Sequence, residues 1–205
     1  NDPFSLKIKK GKLKIADMNF FLEGDYKSSK KDLINLNIKG NQIKISEIFS
    51  ILPLDYASIK TKYSSEGIFN FDGNLNGEMN NKQPLTFFVN FNAKNATLKD
   101  NLNNIHLEKI DLSGSFNNKE QKLKIINFSA LINEKIMSGN LEVNNFNEPT
   151  YFLKIDGLFD LNKIPFFTTL EDFSLEGETA IEIETKITTK NDKLIFENLD
   201  GMLVS

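Results

Sequence analysis

PLTFFVNFN, residues 84–92, decides how the rest of the chain is read. In an extended backbone Leu85, Phe87, Val89 and Phe91 face one way and Thr86, Asn90 and Asn92 the other, with Phe88 the single intruder on the polar side. This is a β-strand with one dry and one wet face. The same alternation recurs at Leu6/Ile8, Leu13/Ile15, Leu123/Ile125, Tyr151/Leu153/Ile155 and Ile181/Ile183/Ile187, with mostly Lys, Glu, Asp or Asn between.

Clusters of turn-forming residues separate these runs: KKGK (9–12), EGDYKSSKKD (23–32), GNLNGEMNNKQP (73–84), FNNKEQ (116–121) and TKND (189–192). Strands then recur every ~10 to 15 residues, the spacing of an antiparallel meander rather than of parallel β-α-β units. Helix is scarce. In LINLNIKGNQIKISEIFSILP (33–53) the period changes after Gly40, and Ile45, Ile48, Phe49 and Leu52 sit at helical spacing. A second such turn is expected at 161–167, and each carries its own breaker, Pro53 or Pro165.

Those two turns mark a recurrence. LNIKG (36–40) leads to ISEIF (45–49) and LKIDG (153–157) leads to LNKIPFF (161–167), and Gly67 or Gly177 then opens a new alternating strand. The order strand, glycine, short apolar turn, strand defines repeat units at roughly 33–80 and 150–190. It suggests one repetitive β-domain over 1–205, each unit stacking on its neighbour.

Composition narrows the function classes. The chain has 205 residues, 25 basic side chains, all of them lysine, against 28 acidic ones, and a net charge of −3. It lacks the basic excess of a nucleic-acid binder and has no arginine fork for phosphate. Cysteine is absent, excluding disulfides and thiolate chemistry. No run approaches the ~20 apolar residues of a membrane-spanning helix, and NDPFSLKIKK is not a signal peptide. Since strand-like patterns begin at Asn1 and persist to the MLVS end, the chain is expected to be a piece of a longer protein, any export signal or anchor lying upstream.

No catalytic constellation emerges, and no cofactor or metal is expected. DGNLNGEMNNKQ (72–83) puts Asp72, Asn74, Asn76 and Gly77 at positions 1, 3, 5 and 6 of a calcium loop, but Gln83 replaces the bidentate glutamate and strand patterns flank it, so it reads as a polar hairpin turn. A single histidine, His106, cannot build a multi-histidine site. Phosphate-loop, dinucleotide, zinc-protease and nucleophile-elbow motifs are missing. Glu182/Glu184 lies on a wet strand face and reads as solvated rather than as a glycosidase pair. The sequons at Asn95 and Asn127 carry no weight in so Asn-rich a chain, and KKGKLK (9–14) reads as a solvated hairpin rather than a membrane-surface patch.

What remains is the dry face. Leu36, Ile38, Phe69, Phe71, Phe87, Val89, Phe91, Phe128, Leu141, Val143, Leu153, Ile155, Ile181 and Ile183 form its candidate binding surface, with Phe116 beside them. Two sheets covering each other in a sandwich would also account for such a face.

SGNLEVNNFNEPTYFLKIDGLFDLNKIPFF (138–167), followed by LEGETAIEIET (175–185), resembles the C-terminal region of the AsmA-like family of bacterial envelope proteins, related to TamB and to the eukaryotic bridge-like lipid transfer proteins. The pattern is a Gly-led strand, Asn/Pro, a strand ending in I-D-G, then D-L-x-K-I, then glycine. An earlier copy, LNIKGNQIKISEIFSILP with EGIFNFDGNLNG (66–77), is similar, Ile45-Ser46-Glu47-Ile48 standing where Leu161-Asn162-Lys163-Ile164 stand later.

The resemblance implies a periplasmic body tethered to the inner membrane by an anchor outside this stretch. It also implies a long curled sheet whose apolar groove moves phospholipid or another acyl-chain lipid, or supports outer-membrane assembly with other envelope proteins. The expected fold is therefore all-β, a long, curved, mainly antiparallel sheet forming a β-taco or groove, with two short helical turns capping it. The expected role is non-enzymatic lipid transport. The alternatives are a closed β-sandwich acting as a structural or protein-binding module, and an enzyme using the acidic wet face.

Overall fold

Alternation is realised as long strands. The computed structural model describes residues 3–51, 61–79, 84–102, 105–160, 177–190 and 193–204. Its strands are β1 (Phe4–Ile15), β2 (Met18–Ser28), β3 (Asp32–Lys44), β4 (Tyr63–Glu78), β5 (Thr86–Asp100), β6 (Ile105–Asn117), β7 (Lys122–Ile132), β8 (Lys135–Asn144), β9 (Thr150–Asp160), β10 (Glu178–Lys190) and β11 (Lys193–Val204). One helix, α1 (Ile45–Ile51), is described, joining β3 to β4. The second expected helical turn, 161–167, lies outside the described residues.

The eleven strands form one sheet in sequence order, every neighbouring pair antiparallel. β1 and β11 are its two edges, so the sheet is open, and at ~4.8 Å per strand it extends ~48 Å from edge to edge. Strands pack against their sequence neighbours, and α1 packs on β3 and β4. The described residues thus make a single layer, and the two facing sheets of the sandwich alternative are not formed.

Three segments read as turns belong to strands instead. KKGK (9–12) lies inside β1 at a register shift between Ile8 and Gly11, so 9–14 is no hairpin. EGDYKSSKKD (23–32) is strand except for 29–31, and residues 73–78 complete β4. In a layer with one solvated face, polar strands remain paired at little cost, and ladder hydrogen bonds outweigh the turn preference of Gly, Asn and Lys.

Local irregularities keep the dry side in phase. Gln42 (φ 54°), Asn95 (φ 47°) and Lys109 (φ 49°) sit within the register shifts Gly40/Ile43, Ala93/Ala96 and Glu108/Asp111. Each shift admits an extra residue and bends the strand. Ala93 and Ala96, three apart, are consequently both buried.

A compact cluster forms beside this line. Ala93, Ala96, Ile110 and Ala130 are buried together, with Ile45 of α1, Phe69, Leu98, Leu107, Leu112, Phe128 and Met137 packed around them. The small residues let α1 and the flanking rings approach the sheet closely. Here the apolar turn rests on the dry side, over the end of β3–β6. Elsewhere no described residue forms a covering layer on the face, and among the described residues no large side chain is fully buried. The total accessible surface is 14435 Å², whereas a compact monomer of 23.4 kDa exposes about 9,700 Å².

The β7–β8 hairpin closes in two residues, Asn133 and Glu134, with φ 49° and 67°. Paired positive φ values mark the primed turn whose twist matches the strands. Glycine fits the second position better than glutamate, so Glu134→Gly is expected to raise the unfolding free energy by about 1 kcal/mol, read from urea denaturation.

Candidate functional site

Cross-strand register assembles the dry face row by row. One row runs Leu22, Ile38, Gly73, Val89, Phe116, Leu123, Val143 and Tyr151; the next runs Phe20, Gly40, Phe71, Phe91, Gly114, Ile125, Leu141 and Leu153. A third runs Ile43, Phe69, Ala93, Leu112, Phe128, Gly139, Ile155 and Ile183. Leu36 and Phe87 meet through Leu75 above these rows, and Ile181 lies below them opposite Gly157. All fourteen residues singled out from the sequence therefore share one face. Each is buried or half-buried, Val143 being 8 % exposed and Val89 and Ile181 9 %.

Glycines alternate with the large residues in these rows. The Phe20 and Phe71 rings meet over Gly40 with centroids 6.0 Å apart. At Gly114 an added Cβ would come within 2.8 Å of the Phe91 ring. Rings lying across bare backbone shield it from water and leave a smooth apolar floor. Phe20, Phe71, Phe69 and Phe91 make one continuous aromatic run, and Phe87, Phe116 and Phe146 a second.

Phe20, Leu22 and Phe146 escaped the reading from sequence. Phe20 and Leu22 do alternate, but Phe21 between them obscures the pattern. Phe146 sits in the β8–β9 connection and stacks on Phe116 at 5.5 Å and 2°; no local signal marks it.

The wet face is mainly polar, with Phe21, Phe88 and Phe152 exposed among its polar groups. Asn74 donates to Asn35 and Asn37 at 3.0 Å each, and Asn70 donates to Asn92 at 3.1 Å. Lys39–Asp72 (2.7 Å), Lys122–Glu142 (2.7 Å), Lys154–Glu182 (2.8 Å) and Lys186–Glu197 (2.8 Å) bridge neighbouring strands. Hydrogen bonds from Lys122 and Asn144 hold the Glu142 carboxyl below the usual carboxylate range, and Asp72 holds the Lys39 ammonium above its own. Asp72, Asn74 and Asn76 thus serve strand pairing rather than a loop, and Glu182 is engaged by lysine. His106 lies 3.6 Å from Glu108, both about half exposed. Among the described residues no His/Cys/Asp/Glu group could hold a metal ion, and no helix is long and apolar enough to cross a membrane.

Fold and face together define the class: an open, single-layer antiparallel sheet with one continuous apolar surface. No family model, curated protein or solved structure matches the chain.

Proposed function

We propose that the dry face is an apolar trough that carries acyl chains, and that the chain is a lipid-transport segment of an AsmA-like protein of the bacterial envelope. In this reading it works in the periplasm, held to the inner membrane by an anchor elsewhere in the protein, and supports outer-membrane biogenesis without catalysing a reaction. One observation carries it: eleven strands present a continuous apolar face that no second layer of described residues covers.

The chemistry follows from the cost of wetting a lipid. Each methylene brought into water costs about 0.8 kcal/mol, so a chain of ~16 carbons faces a barrier of order 10 kcal/mol. A floor of Phe, Leu, Ile and Val side chains running across the strands removes most of that barrier at every step. Since the floor is repetitive and polar groups on it are few, Tyr151 and Thr185 among them, it suits movement along it better than tight capture at one position.

Native mass spectrometry of the purified protein, with lipid extraction from the same sample, tests this. Copurifying phospholipid is expected, falling at least ~10-fold when Phe87→Asp and Leu153→Asp are combined, because a carboxylate on the floor meets the acyl chain unsolvated. A folded, lipid-free wild type would overturn the proposal, as would equal lipid on the folded variant.

A further inference from the structure

Two grooves open on the wet face, one across β1–β4 and one across β8–β11, and they are lined alike. The first, of about 540 Å³, contains Phe21 with Lys12, Lys39, Glu23, Asp72 and Asn37, and Lys9 and Lys10 border it as well. The second, of about 480 Å³, contains Phe152 with Lys154, Lys186, Glu184, Asp200 and Asn140. A phenylalanine, a lysine pair, a glutamate, an aspartate and an asparagine recur in both.

Strand register produces each groove. In the first, Lys12, Phe21, Lys39 and Asp72 stand in one cross-strand row, and Glu23 faces the shift between Ile8 and Gly11. In the second, Asn140, Lys154, Glu184 and Asp200 form a row, with Phe152 opposite Lys186 in the next, beside the shift between Glu184 and Lys186. A register shift bends its strand and re-aims the side chains around it. A ring is left at the floor of each hollow, Phe21 being 45 % exposed and Phe152 43 %. Both hollows lie on the face of the sheet rather than its rim, so strand pairing at β1 or β11 leaves them open.

A lone exposed ring on a sheet is ordinary, and Phe88, set among Asn74 and Asn117, is one. What distinguishes Phe21 and Phe152 is the hollow around each and the polar groups left open in it. Lys12, Glu23, Asn140, Glu184 and Asp200 have no hydrogen bond or ion pair among the described residues. Their neighbours Lys39 and Lys154 are held by Asp72 and Glu182 at 2.7 and 2.8 Å, which fixes donors beside the rings. Donors and acceptors are thus mixed in both grooves. Such a lining suits an uncharged partner rich in hydroxyls, which both donate and accept. The C–H face of a pyranose ring, in turn, lies well against the negative face of an aromatic ring.

We propose that the two grooves are sugar-binding sites. Each stacks one pyranose on its phenylalanine while lysine, carboxylate and amide groups bond the ring hydroxyls. Phe21 on β2 and Phe152 on β9 are seven strands apart, ~34 Å along the sheet, so the ligand class is a neutral polysaccharide strand that engages both sites. The sites lie on the face opposite the trough and do not depend on acyl chains occupying it.

The chain has no tryptophan, so Phe21→Trp and Phe152→Trp each put a single fluorescent ring in one groove and keep its stacking surface. Emission of both is expected to shift saturably with at least one of maltohexaose, cellohexaose and chitohexaose, and not with inorganic phosphate. In calorimetry of the wild type that sugar fills two sites. Phe21→Ala and Phe152→Ala are each expected to weaken their own site about 5-fold or more and to leave the other unchanged. Phe88→Ala, the control, changes neither. In gels containing the matching polysaccharide, either single variant is expected to lose more retardation than its own site accounts for, because both sites hold one strand. No response to any of the three sugars, an equal response to phosphate, equal weakening by Phe88→Ala, or unchanged retardation of both single variants would each overturn the proposal.

Discussion

Gly67→Ala is expected to lower the unfolding free energy by about 3 kcal/mol, among the largest losses available to a single methyl group in this chain. Gly67 sits in β4 at φ 118°, a conformation L side chains rarely adopt, beside the register shift between Glu66 and Ile68. A Cβ there would lie 2.5 Å from Ala96 Cα and 2.7 Å from Ala96 Cβ. Ala96 is 2 % exposed and belongs to the small-residue cluster on which Ile45 rests, so neither partner can retreat. Gly73→Ala makes the internal control: its Cβ would meet neighbours at 3.0 to 3.3 Å and its backbone is unstrained, so about 1 kcal/mol is expected. Urea titration of both variants decides the point; equal losses would sink the account of the β4–β5 shift.

The second large effect concerns where stability resides. Ile110→Ala is expected to cost about 3 kcal/mol, because Ile110 is 6 % exposed and its removal leaves a void among Ala93, Ala96 and Ala130, which are too small to fill it. Leu36→Ala removes a comparable side chain from the same face, but one that is half-buried with water on its open side; about 1 kcal/mol is expected. In a sandwich both positions would be covered and the losses similar. In a single layer the loss follows the local cluster, as in arrays whose units touch only their neighbours. Denaturation midpoints of the two variants test this, and a larger loss at Leu36 would contradict it.

The candidate face was almost wholly legible in the sequence. Period-two alternation placed fourteen residues on one side, and pairing brings all fourteen to one surface, because a strand gives its residues only two directions. Phe20 and Leu22 were hidden by Phe21, and Phe146 by its position in a connection. Strand lengths were less legible. Residues 9–12 and 73–78 carry turn-forming side chains yet stay in the ladder, since a layer solvated on one face tolerates polar strands. The glycines were visible but their use was not. Gly40 sits between Phe20 and Phe71 only once three strands are in register.

From residues alone came the β class, the antiparallel meander, the first apolar turn and the membership of the dry face, all consequences of local side-chain order. Tertiary structure alone decided that the described residues form an open sheet one layer deep and that the bulges at Gln42, Asn95 and Lys109 keep its apolar rows continuous. Those outcomes depend on register and bending accumulated over eleven strands, and no single strand carries enough information to specify them.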